Sequence, residues 1–139
     1  MTMTTIERVV ALQRVPLFAE VPGRTLAALA MRASEVEVAA DEVVIEQGAV
    51  EDHLYAVVRG RLVARDGERT LRTLDEGATV GELAALAPEP RSASVTALEP
   101  TLLLRIDKAV LDELFADRPE LARGVITSLV RMIRSSRPR

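Results

Sequence analysis

The sequence predicts a mainly β fold with flanking helices, a small jelly-roll β-barrel that has an N-terminal helical lead-in and two C-terminal helices. Between about residues 34 and 106, short alternating apolar and polar segments recur at roughly the eight-to-twelve-residue spacing typical of sandwiches and barrels. Outside this region the apolar residues return at helical spacing. The terminal helices are therefore expected to pack on the outside of the β-structure.

Length and composition indicate one domain. A chain of 139 residues is long enough for a real core but short for two domains. We expect a helical lead-in over residues 1–32, a barrel over 33–106 and C-terminal helices over 107–135. The absence of cysteine excludes disulfides, thiol catalysis and cysteine-based zinc sites. No apolar run reaches the ~20 residues of a membrane span, and the first residues do not resemble a secretory signal. These observations predict a cytoplasmic protein.

Two helices are predicted before the first strand. Residues from about Thr5 to Gln13 carry apolar side chains at helical spacing, and Thr5 is the expected N-cap. Pro16 ends this helix. A second, shorter helix is expected to begin near Pro22 and to direct Leu26, Leu29 and Ala30 inward.

The period then changes to two, which indicates strands. Glu35 and Glu37 alternate with valines, so we expect these glutamates, with Glu42, to form a solvated face. The dipeptide Asp66-Gly67 predicts a tight hairpin. The further predicted strands are Glu42–Gln47, Leu54–Arg59, Arg61–Arg65, Arg69–Leu74, Ser92–Ala97 and Thr101–Ile106.

Helical spacing returns after residue 106. Asp107 is expected to cap a helix over Lys108–Phe115, and Arg118-Pro119 separates it from a longer helix that ends near Arg134. From Pro119 onward there are five arginines and one acid. Such a bias suits a nucleic-acid or acidic partner, but we favour the simpler interpretation that cations stabilise the carboxyl half of a helix. The apolar stripe of the longer helix is Leu121, Val125, Leu129, Met132 and Ile133.

The stretch GELAALAPEPRSAS, residues 81–94, interrupts the strand pattern with one short helical turn. The start of a helix offers unpaired N–H groups and a positive dipole end, both of which attract phosphate. Gly81 permits close approach of a ligand, and Arg91 can present a charged fork to the same phosphate. The carboxylate of Glu82 can accept hydrogen bonds from sugar hydroxyls. These residue types fit a nucleotide pocket without a metal, although Glu82 and Arg91, taken alone, are better explained as an ion pair that braces the loop.

This stretch and the segments around it resemble a known family. GELAAL followed by PRSASVTA is similar to the phosphate-binding cassette of cyclic-nucleotide-binding domains, in which F-G-E-[LI]-A-L precedes a short loop and R-[STA]-A. IEQGAVEDHLYAVVRGRLVA (Ile45–Ala64) and LDEGATVGE (Leu74–Glu82) are similar to the family's glycine-punctuated strands. The likeness runs from about Val9 to Arg134. Within this family, the sequence resembles domains of the catabolite-activator and cAMP-dependent-kinase regulatory-subunit type.

The resemblance implies a role for each residue of the cassette. Glu82 is expected to bind the ribose 2′-hydroxyl, and Arg91 is expected to bind the cyclic phosphate together with the backbone N–H groups of Leu83 and Ala84. Ser92 adds a hydroxyl to the phosphate, and Gly81 lines the sugar. The base is expected near Val80 and Leu62. Val80 stands where the family usually has Phe, and Ala78 where it has Asp. The implied ligand is cAMP, with cGMP as the alternative because a hydroxyl residue after the arginine can favour guanine.

The implied function is a regulatory sensor, not an enzyme. Ligand binding would be transmitted through the C-terminal helices to an effector that this sequence does not contain, and the last helix could form a homodimer. The sequence has no DNA-binding motif after Arg139, so it is expected to be either part of a longer protein or a stand-alone module. One alternative is a degenerate member that binds no nucleotide and serves as a structural or dimerisation module. The other alternative is a metal enzyme of the cupin kind. Such an enzyme needs clustered histidines, whereas this sequence has a single histidine, His53, which we expect at the surface.

Overall fold

The structure is a computed structural model that describes residues 2–81, 86 and 89–136.

The first helix is capped by a residue of its own sequence. Helix α1 spans Thr5–Gln13, and its N-cap is Thr4: the Thr4 hydroxyl accepts from the Glu7 N–H at 3.1 Å, and the Glu7 carboxylate accepts from the Thr4 N–H at 2.9 Å. The bond from the Thr4 N–H to the Glu7 carboxylate, followed by the interaction of this carboxylate with the Thr4 side chain, lowers the pKa of Glu7. The predicted cap was one residue late because only Thr4 has a glutamate three residues further on, as a capping box requires.

A buried 3₁₀ turn joins the two N-terminal helices. Residues Pro16–Phe18 form this turn, and helix α2 follows over Gly23–Arg32. Leu17 and Phe18 are almost completely buried. The prediction ended α1 near Pro16 but missed the turn, since three residues are too few to show a period.

In the part of the chain that the structure describes, ten strands pair in an antiparallel manner. One four-stranded sheet has the order β1-β10-β4-β7, a second has the order β2-β9-β5-β6, and β3 pairs with β8. The strands are β1 (Ser34–Val38), β2 (Val43–Ile45), β3 (Val50–Glu51), β4 (His53–Arg59), β5 (Leu62–Asp66), β6 (Arg69–Leu74), β7 (Thr79–Val80), β8 (Glu89–Pro90), β9 (Ser94–Ala97) and β10 (Thr101–Asp107).

The predicted fold class is confirmed. The chain is mainly β with helices at both ends, and the hairpin predicted at Asp66-Gly67 joins β5 to β6. The described strands pair as two facing sheets and a two-stranded ribbon, and no pairing among them closes a barrel. The two-residue strands β3, β7 and β8 were not predicted because two residues cannot display an alternation.

Strands β4 and β10 separate two apolar clusters. Leu54, Ala56 and Ile106 face the helices, where they pack with residues of α1, α2 and the C-terminal helices; we call this the helix-side cluster. The side chains that alternate with them, including Tyr55 and Val57, face the second sheet and form the inner cluster. Each fully buried leucine-sized side chain contributes about 1.5–3 kcal/mol relative to an exposed one. Because successive side chains of a strand point to opposite sides of the sheet, the position of a residue along the strand determines which cluster it joins.

Glu35 is not part of a solvated face, contrary to prediction. Its carboxylate accepts from Arg8 Nη2 at 3.0 Å and from the Met3 N–H at 2.8 Å, and both side chains of the Arg8–Glu35 pair are largely buried. Arg8 also donates to the backbone carbonyls of Ala30 and Ala33. The glutamate therefore connects β1 to α1, a contact across 27 positions that local alternation cannot reveal.

Two helices complete the chain. Helix α3 spans Lys108–Asp117 and α4 spans Pro119–Ser135. Asp107 occupies the N-cap position of α3, but it makes no capping bond and accepts instead from Arg105 Nε at 2.8 Å, which corrects the predicted cap. Helix α4 buries Leu121 and Val125 and leaves Ile126 and Ile133 exposed. Within the described ranges, no helix combines the length and apolarity that crossing a bilayer requires.

Candidate functional site

The guanidinium of Arg91 lies directly against the backbone of Gly81. Gly81 has a φ of +82°, and a side-chain carbon on it would overlap Arg91 Nη1 and come within 2.8 Å of Arg91 Cζ. Only glycine permits both this backbone conformation and this close approach. The first and eleventh residues of the predicted cassette are therefore in contact in the folded chain.

Arg91 is buried, with 7% of its surface exposed. Its Nη2 donates to the backbone carbonyl oxygen of His53 at 2.5 Å and lies 3.7 Å from Glu51 Oε2. No residue that the structure describes accepts a hydrogen bond from its Nε. A buried guanidinium with an unpaired donor is costly unless another acceptor is supplied. A bound anion is the group that meets this requirement best.

The backbone around Arg91 is held by the opposing segment. The Arg91 N–H donates to the Ala49 carbonyl, and the Gly48 N–H donates to the Arg91 carbonyl, both at 2.8 Å. Strands β3 and β8 continue this pairing through Glu51 and residue 89. The guanidinium consequently projects from a fixed position rather than from a free loop.

Gln47 joins this segment to the β5–β6 hairpin. Its Nε2 donates to Asp66 Oδ1 at 2.9 Å and to the Ser92 carbonyl at 3.3 Å, while its Oε1 accepts from the Gly67 N–H at 3.1 Å. Gln47 was predicted as the last residue of a strand and as part of a motif, but β2 ends at Ile45. The structure gives it a bracing role next to Arg91.

Glu51 and His53 lie beside Arg91, and neither was predicted as a site residue. His53 Nε2 is 2.9 Å from Glu51 Oε2, although the two are not aligned as a hydrogen bond. His53 is 8% exposed, so its prediction as a surface residue is wrong. Burial, followed by the positive charge of Arg105, lowers the pKa of His53. The signal that was missed is strand alternation: His53 lies two residues before Tyr55 on the same strand, so both side chains point to the inner face of the sheet. Their rings pack edge to face with centroids 5.1 Å apart.

The other predicted site residues are distributed as follows. Val80 and Leu62 are buried in the inner cluster, on the same side of the sheet as Tyr55. Ser92 is exposed, and its carbonyl rather than its hydroxyl is the group that contacts Gln47. The predicted residues Glu82, Leu83 and Ala84 lie outside the described residues. Leu129 of α4 packs on the helix-side cluster, across the sheet from Val80 and Leu62.

Metal ligands are not grouped in the described part of the chain. Over residues 2–81, 86 and 89–136, no three histidine, aspartate or glutamate side chains are arranged to hold an ion. The polar groups that converge are the guanidinium of Arg91, the carboxylate of Glu51 and the imidazole of His53. This set can bind an anion and can exchange a proton.

Comparison with known proteins identifies similar chains. Residues 35–118 match the family described as the cyclic nucleotide-binding domain. An uncharacterized NTE family protein of Mycobacterium tuberculosis is 30% identical over 129 residues, which are 92% of this chain and 22% of that protein. The CRP-like cAMP-activated global transcriptional regulator of the same organism is 29% identical over 88% of this chain and 57% of its own length. A cGMP-dependent protein kinase of Eimeria tenella is 33% identical over 55% of this chain and 8% of its own length.

Solved structures agree with this result. The N-terminal domain of a transcriptional regulator from Streptomyces coelicolor superposes with a TM-score of 0.83 at 30% identity, and covers 91% of this chain and 92% of that one. The regulatory domain of Toxoplasma gondii PKA, solved with cAMP, has a TM-score of 0.73 at 25% identity, with 79% and 44% covered. The chain thus spans less than two thirds of the length of these curated relatives, and nearly all of one solved domain.

Proposed function

The chain belongs to the cyclic nucleotide-binding domain family, and from this premise we propose that it is a cytoplasmic sensor domain that binds cAMP and regulates an effector without catalysing a reaction itself. The observation that carries the proposal is the buried guanidinium of Arg91, which lies against Gly81 and has an Nε without an acceptor among the described residues. A cyclic phosphate supplies the missing acceptor.

Each residue of the proposed site has a distinct task. Arg91 holds the phosphate, together with the backbone N–H groups of Leu83 and Ala84, while Glu82 binds the ribose hydroxyl. Ser92 and Gly81 complete the polar wall. Val80 and Leu62 line the base from the inner cluster. The apolar contacts favour the flat base, and the buried charge of Arg91 favours the single negative charge of the phosphate.

Transmission to the C-terminal helices has a direct covalent and hydrogen-bonded path. The segment that pairs with Arg91 continues into Asp52, and the Asp52 carbonyl accepts from the Lys108 N–H at the start of α3 at 2.8 Å. Movement of Arg91 toward a phosphate therefore displaces the anchor of α3. Helix α3 buries Leu111 and Leu114 in the helix-side cluster and precedes α4, so both helices would respond together. A ligand can shift the equilibrium between two arrangements of these helices only if it binds one arrangement more tightly than the other.

The proposed ligand is cAMP, with cGMP as the alternative. The CRP-like relative is named for cAMP activation and the Toxoplasma domain was solved with cAMP, whereas the Eimeria relative is a cGMP-dependent kinase. A panel of both nucleotides, tested by isothermal titration calorimetry, distinguishes them.

Replacement of Arg91 tests the site. A hydrogen bond to a charged group contributes about 1.5–3 kcal/mol, so Arg91→Ala should weaken cAMP binding by at least about tenfold, as measured by calorimetry. Arg72→Ala is the matched control, because it removes the same charge from an exposed position on β6. Circular dichroism checks that each variant is folded, and Arg91→Lys, which keeps the charge but not the fork, should be intermediate. Equal affinity of Arg91→Ala and wild type would contradict the site.

The last helix supports a second proposal, that two copies of the chain associate through α4. Its exposed face presents Ile126, Val130 and Ile133, which are 60%, 38% and 59% exposed. These side chains stand at i, i+4 and i+7 and form one stripe along the helix. If neither cAMP nor cGMP binds, this face is the basis of the alternative function, a dimerisation module without a nucleotide.

A further inference from the structure

Glu51 is placed to compete with a ligand for Arg91. Its Oε2 lies 3.7 Å from Arg91 Nη2, and its side chain is 27% exposed. A carboxylate at this distance offsets part of the charge that an incoming phosphate would meet. A group that withdraws Glu51 from Arg91 would therefore strengthen phosphate binding.

His53 is the group that can withdraw it. His53 Nε2 lies 2.9 Å from the same Glu51 oxygen, and the His53 side chain is 10% exposed. The His53 backbone carbonyl also accepts the Arg91 Nη2 donor, so the imidazole and the guanidinium are attached to one backbone position. When the imidazole is protonated, its ion pair with Glu51 strengthens and the net charge around Arg91 becomes more positive by one.

We propose that Glu51 and His53 are positioning residues that make the affinity of Arg91 for a cyclic phosphate depend on pH, so that the ligand binds more tightly when His53 is protonated. The inference rests on the proposed function, because it concerns the same phosphate. It adds two residues and a proton to that site.

The charges around His53 come from three neighbouring elements. Glu51 faces it from β3 and Arg91 from the segment after β8, while β10 contributes the mutually paired Arg105 and Asp107. Burial, together with the two arginines, holds the pKa of His53 in the free protein below the usual 6.5, and the two carboxylates oppose this shift. A bound phosphate adds a negative charge near the imidazole and therefore raises the pKa of His53 in the complex.

The direction of the pH effect follows from the difference between the pKa of His53 in the free protein and its pKa in the complex. His53 takes up a proton when the ligand binds wherever the pH lies between the lower pKa of His53 in the free protein and its higher pKa in the complex. Affinity therefore increases as the pH falls through this interval and is constant above it. The cyclic phosphodiester itself stays ionised over the range of about pH 5–8 in which histidine titrates.

The test measures the dissociation constants of cAMP and cGMP from pH 5.5 to 8.0. A unit charge at the distance of a neighbouring side chain predicts an affinity about fivefold higher at pH 5.5 than at pH 7.5. His53→Gln should bind with a flat profile. Glu51→Gln should bind more tightly than wild type at pH 7.5 and should show a shallower pH profile, because only the part of the effect that runs through Glu51 is lost. Asp52→Asn, which removes the same charge from an exposed neighbour, should keep the wild-type slope.

The histidine signal provides a second readout that needs no variant. His53 is the only histidine in the chain, so its NMR titration is unambiguous. Its pKa should rise when saturating cAMP is added. Binding that does not vary with pH, or a slope that survives in His53→Gln, overturns this inference and leaves the proposed function intact. Absence of binding at every pH overturns both.

Discussion

At Gly81 the main chain adopts a φ of +82°, and the guanidinium of Arg91 occupies the space that a side chain would need. Two independent restrictions thus apply to one residue. The first is conformational, since an L-residue with a side chain pays about 1–2 kcal/mol in this left-handed region. The second is steric and concerns the site alone. The two can be separated by experiment.

Gly81→Ala should therefore weaken cAMP binding by at least about tenfold, because its side chain displaces the arginine that holds the phosphate. Calorimetry measures the affinity and urea unfolding measures stability. Gly48→Ala is the control: Gly48 has a φ of +87°, nothing lies within 4 Å of an added side chain, and its N–H bond to Arg91 is retained. It should lose about 1–2 kcal/mol of stability and keep its affinity. Similar affinities for the two variants would show that Gly81 is required only for its backbone.

At the scale of elements, the position of α4 depends on a glycine that a helix would not normally favour. Gly124 lies within the helix, and a side chain on it would come within 2.8 Å of Val21 Cγ2 and 2.9 Å of the Glu20 carbonyl oxygen. The helix consequently packs backbone to backbone on the segment after the 3₁₀ turn. Arg131 reinforces this contact through its ion pair with Glu20.

Gly124→Ala should lower the free energy of unfolding by about 1–3 kcal/mol, although helix propensity alone would raise it by about 1 kcal/mol. The loss follows because the carbonyl it would meet is backbone and cannot rotate away. Gly23→Ala serves as the control, since its side chain would meet only Gln13 Nε2 at 3.8 Å. Urea unfolding should show Gly23→Ala unchanged or slightly stabilised. Stabilisation of both variants would mean that α4 does not pack closely on residue 20.

For the molecule as a whole, the sheet separates the proposed ligand side from the output side. Arg91 and the inner cluster lie on one face, and α3 and α4 pack on the other. The hydrogen bond from the Lys108 N–H to the Asp52 carbonyl continues the pairing of β10 with β4, the two central strands of the first sheet, by one residue. A packed sheet deforms little, so we propose that movement at the site would reach the helices through this end of the two strands.

The exposed stripe of α4 predicts association of the whole chain. Ile126→Glu should shift the protein toward monomer, because it places a charge in a face that a partner helix would bury. Sedimentation velocity over a range of concentrations measures this shift. Thr127→Glu is the control, since Thr127 is exposed beside the stripe and its hydroxyl contacts only its own helix. A wild-type chain that is monomeric at every concentration would contradict the association.

The sequence by itself determined the elements and the class. Period-two alternation located the six longer strands after β1, and helical spacing located the helices described within residues 5–32 and 108–135, because burial on one face imposes a local period. The glycine and charge pattern around Gly81 and Arg91 identified the family. The bounds of α1 agree with the prediction, but its N-cap is Thr4 and not Thr5, because capping depends on a single side chain.

Only the tertiary structure decided which distant residues meet. His53 and Glu51 join Arg91 across 38 and 40 positions, Glu35 pairs with Arg8 instead of facing water, and Asp107 turns to Arg105 rather than capping α3. A local period records which face is buried, but it carries no information on the partner at that face. The reason is physical: charge pairing depends on distance and burial in the folded chain, and both are set by how the sheets and helices pack.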